Sequence, residues 1–324
     1  MASLFSPKAV VVSAGIVFLV MLPWAAEYFK EPYLISLFAR ILIYALAAVS
    51  LDLLIGYGGL VSLGHAAFVG IGGYVTAIFY HHAFEGYALF GVIPGTDKAL
   101  LVWPLAVVVA ALFAAVIGSL SLRTSGMHFI MITLAFAQML YYFGVGLEAY
   151  GGDDGISLFS RNIIVGLDLA DDRQFYYVCL VCLGGFLLLG DRLVRSRFGL
   201  VLRGAASNGR RIRALGIPGK RYQLVCFVIG GGGAGLAGAL LANQAEYVSP
   251  GMLHWTLSGE LLIMVLLGGL GTLYGPVLGA AAFLLLEETL GMYTEHWMVY
   301  LGPILIVAVL YAKRGLFGLL TGRE

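Results

Sequence analysis

Leu51-Asp52-Leu53-Leu54-Ile55-Gly56-Tyr57-Gly58-Gly59-Leu60-Val61-Ser62-Leu63-Gly64-His65-Ala66-Ala67-Phe68 is the stretch on which the fold turns. It separates two apolar runs, 33–55 and 66–82, without becoming a polar loop. Non-helical backbone survives at membrane depth only where protein buries it or where it lines a cavity. In transporters such breaks often mark the substrate path. The alternative is close helix packing on glycine. Tyr57, Gly58, Gly59 and Ser62 are the candidate path residues on the first reading.

The rest of the chain supplies the membrane that this reading needs. Of 324 residues, 60% are hydrophobic and 11% are charged, against roughly a quarter charged in a soluble domain. So few charges would not cover a soluble fold of this size, whereas lipid-facing surface should be apolar. The 45 glycines suit helices that approach closely in lipid. A span needs roughly 17–25 apolar residues. Segments 9–26, 33–55, 66–82, 99–122, 127–146, 175–189 and 222–242 qualify or come close, and 260–290 and 297–312 follow. Lys8, the apolar run to Met21 and Ala25-Ala26 together look somewhat like a secretory signal. Because further spans follow closely, the expectation is an uncleaved first span.

Orientation follows from the basic residues. Segment 191–221 holds nine of the 19 Lys+Arg and a single acid, Asp191, so this loop is expected on the cytoplasmic side. The N-terminus and Arg123 then also fall inside, and the acidic loop 147–174 falls outside. Segment 260–290 carries a second break, Gly268-Gly269-Leu270-Gly271-Thr272-Leu273-Tyr274-Gly275-Pro276. Pro276 and the glycines weaken a continuous helix there. Two short crossings place the cationic tail (Lys313, Arg314, Arg323) inside, so the charges and the breakers agree. The expectation is an all-α polytopic membrane protein of one domain, 1–324, with about ten crossings and both ends cytoplasmic. The eighth crossing, 260–268, is too short to span unless protein buries it at a re-entrant bend. Gly268, Gly269 and Gly271 join the path candidates. The two breaks do not fall at corresponding places in the two halves, so no internal repeat is inferred.

Searches for chemistry return little. GxxxxGK[ST], HExxH and GxSxG are absent, so the chain carries no phosphate-cradling loop of its own and no catalytic or metal-binding residues are assigned. Cys179 and Cys182 form a CxxC inside an apolar run with no His or carboxylate alongside, and read as buried inert thiols; with Cys226 the third cysteine, no disulfide framework is implied. The ionisable groups noted within the spans are Arg40, Asp52 and His128, each near a proposed end where it reaches toward headgroups. A proton-coupled pump usually needs several such groups in mid-span.

The loop 191–221 is the most informative polar segment. At 100° per residue, Arg203, Arg210, Arg211 and Arg213 fall on one half of a helix and Ala205, Ile212 and Leu215 on the other. Gly216 and Pro218 stop it. Such a helix either lies on anionic lipid or docks into a groove on a partner.

Five separated motifs, in order, resemble the branched-chain amino acid permease family of ATP-binding-cassette importers, and its M-type subunit in particular. They are the opening stretch 51–68, Gly151-Gly152-Asp153-Asp154-Gly155, the loop from Asn208 through Ala214-Leu215-Gly216-Ile217 to Ala234-Gly235-Leu236-Ala237-Gly238-Ala239-Leu240, Tyr247-Val248-Ser249-Pro250, and 268–279. The resemblance covers about residues 40–312. It implies passage of branched-chain or other hydrophobic amino acids across a bacterial inner membrane. It also implies a second permease subunit, two ATPase subunits and a periplasmic binding protein as partners. ATP would be used by those partners, with no cofactor on this chain, membrane lipid around it and no nucleic acid. Segment 203–218 matches the family's ATPase-coupling loop, which favours docking and marks Arg203, Asn208, Ile212, Ala214, Leu215 and Gly216 as coupling candidates. Two departures stand out. Ser207 and Gly209 flank Asn208 where the family usually has acids, and Gly230–Gly233 is unusually rich in glycine. The rival readings are a self-contained secondary transporter or channel, and a membrane-embedded enzyme, which the absent motifs disfavour.

Overall fold

The computed structural model describes residues 7–88, 93–294, 296–311 and 315–321. Lys313, Arg314 and Arg323, the cations used to place the C-terminus, lie outside the described residues. In chain order the helices are α1 (Pro7–Tyr28), α2 (Tyr33–Asp52), α3 (His65–Glu85), α4 (Ala99–Ser121), α5 (Met127–Val145), α6 (Asp172–Arg195), α7 (Arg197–Ala214), α8 (Gly219–Ala245), α9 (Trp255–Gly268), α10 (Gly275–Tyr293), α11 (Trp297–Tyr311) and α12 (Gly315–Thr321). The only strands among the described residues are β1 (Ile156–Ser157) and β2 (Tyr247–Val248), paired antiparallel. The fold is an all-α polytopic bundle. Every expected crossing is a helix, and among the described residues seven helices are long and apolar enough to cross a membrane on length and composition.

Helix α9 begins at Trp255 rather than at residue 260, where His254 caps it by accepting from the Thr256 N–H. Its 14 residues still rise only about 21 Å, short of a hydrocarbon core of about 30 Å. Protein instead anchors the turn before it and covers its C-terminal end. Leu253 packs on Gly70 and Gly144, and Gly268 lies against Gly275 and Pro276.

Helix α8 is the centre of the bundle, and its glycine run explains itself there. Gly230 lies against Ser50 and Leu54 at the end of α2, Gly231 against Ala114 of α4, Gly232 against Val107 of α4, and Gly233 against Phe186 of α6. Further along, Gly235 meets Ala110 of α4 and Gly238 meets Val69 of α3. Without side chains in the way, four neighbouring helices reach one axis, which van der Waals contact requires where lipid gives no hydrophobic drive.

The bundle has two unlike ends. One gathers the acidic loop 147–171, the loop before α4, and the β1–β2 ribbon. Lys98 bridges to Ile163 there, and His82 Nε2 lies 2.9 Å from the Tyr150 hydroxyl. The other end gathers α7, both glycine-rich breaks and α12. Asp52 sits at this basic end, but it is 1% exposed and does not reach toward headgroups as expected.

The single amphipathic helix expected over 203–215 is in fact two pieces. Asn208 leaves helical geometry at φ −153°, ψ 86°. Its Oδ1 accepts from the Arg211 N–H at 3.0 Å, so its side chain caps the second piece and competes with the helix it interrupts. A helical wheel cannot be carried across that kink. Ile212 folds back, half-buried, onto Gly204 and Gly219, while Leu215 is 68% exposed. The stop itself is as read: α7 ends at Ala214, and Gly216 takes φ +78°.

Candidate functional site

The two breaks, more than 200 residues apart in the chain, meet. Helix α2 runs on as a π-helical turn, Leu53–Tyr57, before the backbone leaves helical form. The Gly271 N–H donates to Asp52 Oδ1 at 2.9 Å. Any Cβ at Gly56 would fall on the Gly271 main chain. Gly271 takes φ +68° and Gly269 φ +117°, left-handed conformations that favour glycine. Gly315, at the start of α12, packs on Gly269. Gly268 closes on the N-terminus of α10, where Pro276 occupies an early position that needs no N–H donor.

The first break also touches α7. Gly59, exposed and at φ +65°, lies so close that a Cβ would sit 2.9 Å from that of Ala206. Tyr57, Gly58 and Ser62 are buried within this chain. The Gly58 carbonyl accepts from Gln223 Nε2 of α8 at 3.3 Å, and Ser62 Oγ accepts from the Gly64 N–H at 3.2 Å. In α7, Arg203 turns back toward the α6–α7 junction, Nε donating to the Gly199 carbonyl of its own helix and Nη2 to the Val194 carbonyl at the end of α6, both at 3.3 Å. Arg210, Arg211, Arg213, Ala214 and Leu215 are exposed. The arrangement is therefore a joint: an exposed basic helix rests on the point where α2 and the α9–α10 turn are pinned together.

Residues 33–312 match the family described as branched-chain amino acid transport system, permease component. The chain belongs to that family. The high-affinity branched-chain amino acid transport system permease protein LivM of Escherichia coli (strain K12) is 26% identical over 302 residues, covering 85% of this chain and 68% of the relative. Its Salmonella typhimurium counterpart matches equally. The probable branched-chain amino acid transport permease protein LivM of Methanocaldococcus jannaschii is 24% identical over 316 residues, covering 84% of this chain and 89% of the relative. No solved structure matches.

This permease also holds a polar cluster toward its acidic end that reading the sequence missed. Arg40 of α2 lies 3.5 Å from Glu287 of α10 and 5.6 Å over the ring of Tyr44. The Tyr33 hydroxyl donates to Glu288 at 2.6 Å. Glu287 and Glu288 lie inside a helix long and apolar enough to cross a membrane, so Arg40 is a partnered residue rather than one reaching for headgroups. The signal was present: Tyr33, Ser36, Arg40 and Tyr44 recur at helical spacing on one face of α2. His128, by contrast, is exposed at the start of α5, where a headgroup contact fits.

Proposed function

We propose that this permease forms one wall of the translocation path of an ATP-driven importer for branched-chain or other hydrophobic amino acids, and that the joint at its basic end is the coupling element. The observation that carries the reading is the contact of α7 with the Gly59 break, and through Asp52 and Gly271 with the α9–α10 turn. A partner ATPase that grips α7 would move Ala206 against Gly59, and so move the ends of α2, α9 and α10 together. The remaining members would be a second permease subunit, a second ATPase and a periplasmic binding protein. The basic end would face the cytoplasm, as its arginines favour. The two breaks then form the inner end of the path. Cargo passes unchanged, so the permease needs positioning groups and no covalent chemistry.

A self-contained carrier remains the competing reading, because Arg40, Glu287 and Glu288 supply charges within the spans that such a carrier would use. Uptake separates the two. Vesicles holding this chain alone should show no concentrative leucine uptake, and vesicles holding the assembled importer should accumulate leucine only with ATP. Accumulation by the chain alone under a proton or sodium gradient would overturn the importer reading. Gly59→Leu places a side chain at positive φ, costing about 1–2 kcal/mol, and against Ala206. It should impair transport while the complex still assembles; unimpaired transport would show that the break is packing only.

A further inference from the structure

Resting on the import reading, we propose that Arg40 is a substrate-binding residue that takes the carboxylate of the amino acid in transit. Arg40 opens on a cavity of about 400 Å³ between α2 and α8, whose walls include Ser36, Leu37, Tyr44, Leu241 and Gln244. That volume lies within the roughly 300–1,000 Å³ of small-molecule sites. Seven residues below Tyr33, Arg40 is about 10 Å down α2, and a guanidinium at such depth faces a protein interior or a cavity.

Its protein partners leave it unsaturated. The fork has five N–H donors. Among the described residues it meets Glu287 at 3.5 Å, longer than the roughly 2.7–2.9 Å of a tight charge-assisted bond, and Tyr44, through its ring and its hydroxyl, while Glu288 and Glu260 act on it through charge alone. A structural arginine in the same molecule behaves differently. Arg161 is 10% exposed, donates to Asp172 at 2.6 Å and to the Leu169 carbonyl at 2.9 Å, and stacks on Phe175 at 4.6 Å, so it is held by short bonds although its Nε has only Glu246 at 3.7 Å. The Arg40 side chain is 36% exposed and lines the cavity, while Glu287 does not line it. The pair is built as an anchored cation with a free edge, and a carboxylate matches that edge in bidentate geometry.

The rest of the cavity suits the same ligand. Gln244 Nε2 donates to Ser36 Oγ at 3.2 Å, offering further polar atoms beside the guanidinium. Leu37 and Leu241 supply an apolar surface for an aliphatic side chain. One cation, a few neutral hydrogen-bonding groups and an apolar wall describe an α-amino acid with a hydrocarbon side chain.

The test uses the assembled importer in vesicles, with leucine delivered by its binding protein. Arg40→Gln should lower uptake at least about tenfold, although it also strands the Glu287 charge. The double variant Arg40→Gln/Glu287→Gln removes both charges and should stay as low, since the carboxylate has lost its cation. Recovery of the double variant to within about twofold of the unaltered complex would mark a structural ion pair and overturn the proposal. A second readout follows binding. Ser36→Cys should react with a water-soluble thiol reagent, leucine should slow that reaction, and adding Arg40→Gln should abolish the protection; protection that persists would also overturn it. If the unaltered complex accumulates no amino acid, the import reading fails and this proposal with it. Normal uptake by Arg40→Gln sinks this proposal alone.

Discussion

The two ends of the bundle are held by different physics. At the acidic end, side-chain hydrogen bonds tie the loops to the helices. The Asn162 main-chain N–H donates to Asn243 Oδ1 at 2.7 Å, Asn243 Nδ2 donates back to Asn162 Oδ1 at 2.8 Å, and Trp103 Nε1 donates to the same oxygen at 3.3 Å. Arg161 adds Asp172 and the Leu169 carbonyl. At the basic end the joint rests mainly on glycine backbone meeting glycine backbone, with side-chain bonds from the Gly271 N–H to Asp52, from Gln223 to the Gly58 carbonyl and from Cys226 to the Leu53 carbonyl. Buried polar networks resist distortion because each broken bond strands a partner. Glycine contacts hold by shape and allow small slides until a side chain blocks them. On the coupling reading proposed above, the acidic end would be the scaffold and the basic end the part that moves.

The sharpest way to break this comparison is to add a side chain where the glycines touch. Gly56→Val drives carbon into the Gly271 main chain, which cannot turn aside as a flexible side chain would. A stability loss of about 3 kcal/mol is expected, read as a lower thermal unfolding midpoint in detergent. Tolerance would mean that the joint is slack and the comparison wrong.

At the acidic end, Asn243→Ala strands the Asn162 N–H and leaves no steric fault. The expected loss is about 1–3 kcal/mol, by the same measurement, with the ATPase subunits still attached. If transport fails while stability holds, the scaffold assignment falls.

A third change leaves the joint intact and tests its grip. Leu215 is a large apolar side chain exposed beside an arginine-rich helix. Burying it in a partner groove is worth roughly 1.5–3 kcal/mol, and a carboxylate there adds a desolvation cost. Leu215→Asp should therefore weaken ATPase co-purification at least about tenfold. Full retention, with normal ATP hydrolysis during transport, would show that α7 only touches lipid. Arg211→Ala should have the smallest effect, because an exposed charge contributes about 0–1 kcal/mol.

Much of the fold was legible because the bilayer acts on each helix separately. Apolar runs located every crossing helix, and breakers in the chain located both interruptions and the end of α7 at Gly216. The site was legible only in pieces. Asn208 hid its kink, because a helical wheel assumes the helix it is meant to test, and one side-chain cap on Arg211 was enough to divide it. Glu287 and Glu288 escaped notice inside a segment read for its glycines and proline.

The sequence by itself determined that the chain is a many-helix membrane permease, with a basic loop on one side and an acidic one on the other. Hydropathy and charge are properties of single segments, and membrane and family can be read from them in order along the chain. Tertiary structure alone decided that Asp52 meets Gly271, that Arg40 meets Glu287, and that each glycine of 230–233 admits a neighbouring helix. Those pairings join residues tens to hundreds of positions apart. In lipid, the selection among possible helix partners is made by close fit and by the cost of an unpaired polar group, and neither is set until the helices are packed.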